Sequence, residues 1–213
     1  MSAFFFAGIP EYQLRAFRAV RSAFDNLSNV LTLAEILNTC AHCRENADEN
    51  SFDVAIFTGN YARALVRTPG GYFSMAIPFQ LVETGGQVSF VSDRLSEEIS
   101  GRVISVFRNA INTAEVISFS HEDIILSLCE NFGLEVSEAL LYVDAFMELM
   151  SDDHGYLRFD DDPVNENGQI HPRYHFDFFF KNSTSIKIGA ESKVDIGCFY
   201  ALFDKTLPKR FMR

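Results

Sequence analysis

The sequence predicts an α+β protein, and three observations carry that prediction. Apolar residues recur at helical steps of three and four in some blocks and alternate with polar ones in others. The β-rich blocks are separated by Gly-containing connectors that suit antiparallel turns, and after residue 150 the period changes from 3.6 to 2. With 213 residues, 47% hydrophobic and 22% charged, the chain has an ordinary globular balance and enough length for a sizeable core. It divides most simply into 1–114 and 115–213, or forms one continuous domain.

At the N-terminus, Leu14, Phe17, Val20, Phe24 and Leu27 follow Pro10 at helical spacing, which predicts a helix over 10–29. Thr32-Leu33-Ala34-Glu35 reads as a capping box, hydroxyl and carboxylate each serving the other's free amide, and opens a second helix to Arg44. Four β-rich runs follow, over 54–58, 61–67, 72–82 and 87–92. Gly59-Asn60, Thr68-Pro69-Gly70-Gly71 and Thr84-Gly85-Gly86 connect them as an antiparallel meander. Ser96-Glu97-Glu98 starts a helix whose face Ile99, Val103, Phe107, Ile111 and Ala114 covers the meander. Two helices, 120–131 and 136–150, are broken at Phe132-Gly133. Three strands over 156–160, 170–180 and 185–189, the last two joined by Lys181-Asn182-Ser183, form a C-terminal antiparallel sheet capped by a helix over 195–205.

Charge is unevenly spread. The net −11 resolves into −2 over 1–114, −13 over 115–169 and +4 over 170–213. The 136–150 helix is apolar on almost every side, and such a helix is either deeply buried or covered by a partner. Leu141, Tyr142, Phe146 and Met147, with Glu138 and Glu148, are therefore the candidate partner-binding residues, and the aromatic strand over 174–180 is a second contact. Helix, Gly-containing turn, helix and strand pair is also the order of a winged helix. The would-be reading helix carries Glu135, Glu138, Asp144 and Glu148 with no Lys or Arg, so it would repel phosphates, and sequence-specific DNA binding through 121–150 is not expected.

The densest polar cluster lies at 158–177. On alternating strands Arg158 and Asp160 share a face, as do His175 and Asp177, while Leu157, Phe159, Phe176 and Phe178 point the other way. Paired as a hairpin, these strands bring Arg158, Asp160, His175 and Asp177 together, with His171 nearby. An imidazole and two carboxylates could hold a divalent metal for phosphoester hydrolysis, with Arg158 on the phosphoryl charge. The simpler alternative is that Arg158 pairs with Asp177 or Asp160 and His175 satisfies a backbone carbonyl. An EF-hand is excluded, because counting back from Gly168 puts Pro163 and Tyr174 where carboxylates are required. Cys40 and Cys43 form a C-x-x-C with no second ligand pair at finger spacing and read as small buried side chains. No P-loop, dinucleotide fingerprint or G-x-S-x-G is present, so no cofactor is expected.

The C-terminal third, with Tyr156-Leu157-Arg158-Phe159-Asp160, His171-Pro172-Arg173-Tyr174-His175-Phe176-Asp177 and Ser185-Ile186-Lys187-Ile188-Gly189, resembles an uncharacterised bacterial family known only as a domain of unknown function. That family's pattern is an R-x-D strand, an H-P-x-x-H turn into a strand, a short basic-apolar strand and a closing helix. Asp177 stands where the family often has another histidine. The resemblance implies an accessory gene of mobile or defence islands.

The functional expectation is a non-enzymatic accessory subunit of a bacterial multi-protein assembly in anti-phage or anti-plasmid defence, bound to a protein partner such as an ATPase or nuclease. A metal-dependent phosphoester hydrolase built on His171, His175, Asp160, Asp177 and Arg158 is the alternative. An acidic nucleic-acid mimic that inhibits a DNA-binding enzyme is the third reading. Charges interrupt every long apolar segment, no basic region precedes the apolar N-terminal run, and four scattered cysteines make no disulfide framework. No membrane contact and a cytoplasmic location are expected.

Overall fold

The computed structural model describes residues 2–45, 47–59, 62–152, 155–168, 170–180, 185–203 and 206–209. It is an α+β protein whose strands make a seven-stranded antiparallel sheet and a separate three-stranded one. Asn60 and the expected turn Lys181-Asn182-Ser183 lie outside the described residues.

The chain opens with a strand the sequence reading missed, β1 (Ser2–Phe6), which pairs with β2 (Val54–Thr58). The apolar run of 3–7 that resembles nothing periodic is an edge strand whose Phe6 is fully buried. The predicted helix over 10–29 is not continuous. A single turn, α1 (Glu11–Leu14), gives way to an irregular stretch, and α2 (Ala23–Thr39) begins afterwards. Its true capping box is Ser22 with Asp25: the Ser22 hydroxyl accepts from the Asp25 amide while the Asp25 carboxylate accepts from the Ser22 amide. Thr32, predicted to be a cap, lies inside α2 and donates its hydroxyl to the Ser28 carbonyl instead. The apolar stripe is common to both segments, so periodicity alone could not reveal the break. A 3₁₀ turn at Ala41–Arg44 ends this region.

Strands β3 (Ala62–Thr68) and β4 (Gly71–Ile77) continue the sheet from β2. The predicted strand over 72–82 divides at Pro78, which has no amide to donate. Its second half, β5 (Gln80–Thr84), joins β6 (Gln87–Ser92) and the two-residue β7 (Glu97–Glu98) in the small sheet. Glu97 and Glu98 therefore do not start a helix. The start is Ser100, whose hydroxyl accepts from the Val103 amide to cap α3 (Gly101–Val116). Helices α4 (His121–Phe132) and α5 (Val136–Ser151) fall where predicted, with Gly133 left-handed between them.

The C-terminal strands β8 (Leu157–Asp161), β9 (Tyr174–Phe179) and β10 (Ser185–Gly189) hydrogen-bond in that order, as expected. They do not form a sheet of their own, because β8 pairs with β4 and extends the N-terminal strands to the order β1-β2-β3-β4-β8-β9-β10. The sheet thus crosses the 114/115 division. Gly71 makes the junction close: a Cβ there would lie 2.0 Å from the Phe159 carbonyl oxygen. One face of the sheet packs its larger core against α2, α3, α4 and α5, around Val54, Met75, Phe107, Val143 and Phe146. The opposite face carries a smaller core of Phe52, Leu65, Phe159, Phe176 and Phe199, the last supplied by α6 (Ile196–Phe203).

Candidate functional site

The 158–177 cluster forms as the alternation predicts. In the β8–β9 register Arg158 faces Asp177 and Asp160 faces His175, and all four side chains project from the face that carries the larger core. Leu157, Phe159 and Phe176 go to the other face, inside the smaller core.

The geometry inside the cluster assigns each group. Arg158 Nη2 lies 2.7 Å from Asp160 Oδ2 and donates to Asp177 Oδ2 at 3.0 Å. Those same two oxygens are the ones His175 Nε2 faces, at 3.5 and 3.7 Å. His175 is 1% exposed, and its Nδ1 donates to the Pro172 carbonyl at 2.7 Å. A carbonyl only accepts, so Nδ1 carries the proton. Lys187 from β10 closes the far side, 2.7 Å from Asp177 Oδ1. Burial pulls the Arg158 guanidinium down, but Asp160, Tyr156 and Asp177 outweigh it and its pKa rises.

Asp160, His175 and Asp177 place three ligand atoms within 4.8 Å of one another, a spacing a divalent cation could bridge. The guanidinium of Arg158 already bridges the two carboxylate oxygens such a cation would share. His171, offered as a further ligand, turns instead to the loop: its Nε2 is 3.4 Å from Asp162 and its ring packs edge-on against His175 at 4.8 Å. The loop is held by its own acids. Arg173 holds the Asp161 carboxyl below its ordinary value, and Asn165, followed by His171, does the same for Asp162. These distances match the simpler structural reading of the cluster.

The partner-binding candidates separate. Tyr142 and Phe146 are core residues: Phe146 is fully buried, and Tyr142 packs against Phe107 while its hydroxyl donates to Glu97. Met147 is half-buried against the same core. Most of the apolar girdle of α5 is thus covered by the protein itself, because α2, α3 and α4 all pack against it. Leu141 and Glu138 are exposed, and Glu148 is exposed within reach of Arg94 at 3.6 Å. Val136 and Leu140, within the expected 136–150 contact helix, stand 64% and 44% exposed, and Leu126 of α4, which the sequence reading missed, stands 58% exposed. The aromatic strand β9 is interior to the sheet, with Phe176 and Phe179 buried, and offers no free edge.

Cys40 and Cys43 are buried, as expected of small core side chains. The Cys40 thiol donates to Gln13 Oε1, and burial, with Cys40 and Asp53 nearby, pushes the Cys43 thiol up to about 11. Among the described residues no helix is long and apolar enough to cross a membrane. Comparison with family models, curated proteins and solved structures finds no match for this chain.

Proposed function

We propose that this chain is a non-enzymatic accessory subunit that docks a basic partner protein through the outward sides of α4 and α5. The observation that supports this is the exposure of Leu126, Val136, Leu140 and Leu141 on two helices whose span, 115–152, has nine acidic residues and no Lys or Arg. Apolar anchors within a predominantly acidic rim, where Arg94 is set against Asp144 and Glu148, suit a complementary surface: the anchors supply desolvation and the rim supplies orientation and encounter rate. A phosphoester hydrolase would need a cation between Asp160, His175 and Asp177, and Arg158 bridging the two carboxylates argues against that use. The bacterial defence setting is implied by the C-terminal resemblance, with an ATPase or nuclease encoded alongside as the natural partner.

The test is co-expression with the products of adjacent genes, followed by native mass measurement. A stoichiometric complex is expected, weakening as ionic strength rises and lost in a Leu140→Asp/Leu141→Asp double variant that remains folded. A monodisperse monomer that binds none of those products overturns the proposal.

A further inference from the structure

Two clefts flank the Arg158 side chain on the sheet face that carries the larger core, and the irregular segment after α1 borders both. The larger, about 600 Å³, is bordered by Leu14, Phe17, Arg18, Phe73, Tyr156 and Arg158. The smaller, about 290 Å³, lies between Arg21, Arg158, Asp177 and Lys187. Ala19 and Tyr156 line both, so the two form one groove divided by Arg158.

The crossing segment is a built structure. Buried Asn29 of α2 grips it with both ends of its amide, accepting from the Arg18 backbone amide and donating to the Arg18 carbonyl, each at 2.8 Å. Gln13 ties its start to Thr39 and Cys40. These contacts fix the backbone while leaving the Arg18 and Arg21 side chains exposed and, among the described residues, without a hydrogen-bonding or ion-pair partner. Beneath them Arg158 commits Nη2 to the two carboxylates, and its side chain, a quarter exposed, borders both clefts. An anionic oxygen in the groove would meet the exposed part of this guanidinium as a charge-assisted acceptor.

The charge balance agrees. Arg158 and Lys187 offset Asp160 and Asp177, Arg15 pairs with Glu11, and Arg67 balances Asp53 around the groove. Arg18 and Arg21 remain, so the groove is net positive on a chain of formal charge −11. Beside these cations Phe17 and Phe73 pack edge-to-face, 5.3 Å apart, with Leu14 adjoining, and form an apolar wall. The Tyr156 phenol, which burial pushes up to about 12, stands beside Arg158 in the wall of both clefts. The larger cleft falls in the size range that holds small-molecule ligands.

From this juxtaposition we infer that the groove is a binding site for a mononucleotide. Its phosphate lies between Arg18 and Arg158, and its base lies against Phe17. This goes beyond the docking role and uses a different face from α4 and α5, so either can fail without the other.

Isothermal titration of the full chain with AMP, ADP, ATP and inorganic phosphate tests it. Saturable one-to-one binding of at least one nucleotide is expected, with inorganic phosphate at least about tenfold weaker because it lacks the base. Arg18→Glu should weaken nucleotide binding by about tenfold or more, the loss of one charge-assisted contact. Its thermal midpoint without ligand should match the wild type, since Asn29 contacts only the Arg18 backbone. Arg102→Glu on α3, a charge-matched control remote from the groove, should bind as the wild type does. No saturable nucleotide binding up to about 5 mM, or equal losses in the two variants, overturns the site. Equal affinity for inorganic phosphate overturns its assignment to nucleotides.

Discussion

Arg158 is the residue on which the polar cluster turns. Its guanidinium bridges Asp160 and Asp177 in a partly shielded place, so Arg158→Ala leaves two carboxylates facing each other across His175. A loss of about 2 kcal/mol is expected, below the range for fully buried pairs because the side chain keeps some solvent contact. The vacated position should then accept a cation: Mn²⁺ should raise the thermal midpoint of the variant and leave the wild type unchanged. A wild-type midpoint that rises with Mn²⁺ would show that the guanidinium yields to metal. A second test at this scale concerns Tyr142 and Tyr156, whose phenols burial pushes up to about 12 from the ordinary 10.0. A raised phenol favours the protonated folded form, so its contribution to stability is complete below pH 10 and disappears as pH rises toward 12. In a 295 nm titration, Tyr142 and Tyr156 should reach midpoint at about 12, and Tyr142→Phe and Tyr156→Phe should each remove one such late step. A titration curve that neither substitution changes near pH 12 would contradict the burial assigned to these two.

Among the elements, the caps separate what local sequence signals can say from what they cannot. Thr32-x-x-Glu35 and Ser22-x-x-Asp25 both fit a capping pattern, and the chain uses the second because Asn29 and Gln13 hold the preceding segment away from helical geometry. Ser22→Ala should therefore cost about 1 kcal/mol, whereas Thr32→Val should be close to neutral; thermal unfolding of the two variants decides between the caps. The β4–β8 junction makes a sharper demand. Gly71→Ala would drive a methyl group into the Phe159 carbonyl, and the strands would have to part. A loss of about 3 kcal/mol is expected, with hydrogen exchange accelerating first in β8 and β9. A near-neutral Gly71→Ala would mean that the two strand groups are not so closely joined. The His/Asp cluster was legible because alternation fixes which strand residues share a face. The sequence placed Arg158 there too and offered both an ion pair with Asp160 or Asp177 and a phosphoryl contact; the choice between them was not legible, since side-chain reach across a register depends on the neighbours that close around it.

Over the whole molecule, the acidic helices α4 and α5 and the arginine groove lie on different elements, and neither has a continuous sequence motif. The exposed leucines of α5 became distinguishable from its buried residues only once α2, α3 and α4 were seen to cover the rest. An apolar girdle in sequence says that cover is needed, not who supplies it. The phenylalanine excess resolves the same way. Phe6, Phe52, Phe90, Phe107, Phe146, Phe159 and Phe199 are among the largest fully buried side chains, so most of the excess fills the two cores.

What the sequence determined by itself follows from short-range physics. Backbone period placed α4, α5, β2, β6 and β10 close to their observed bounds, and alternation placed the Arg158, Asp160, His175 and Asp177 faces. What only the tertiary structure decided involves partners far apart in the chain. The β4–β8 pairing merges two groups of strands into one sheet, Asn29 breaks a periodic helix to fix Arg18, and that break sets Arg18 from the N-terminal segment above Arg158 from β8. Periodicity records which residues share a face; hydrogen bonds and packing between distant segments decide what that face meets.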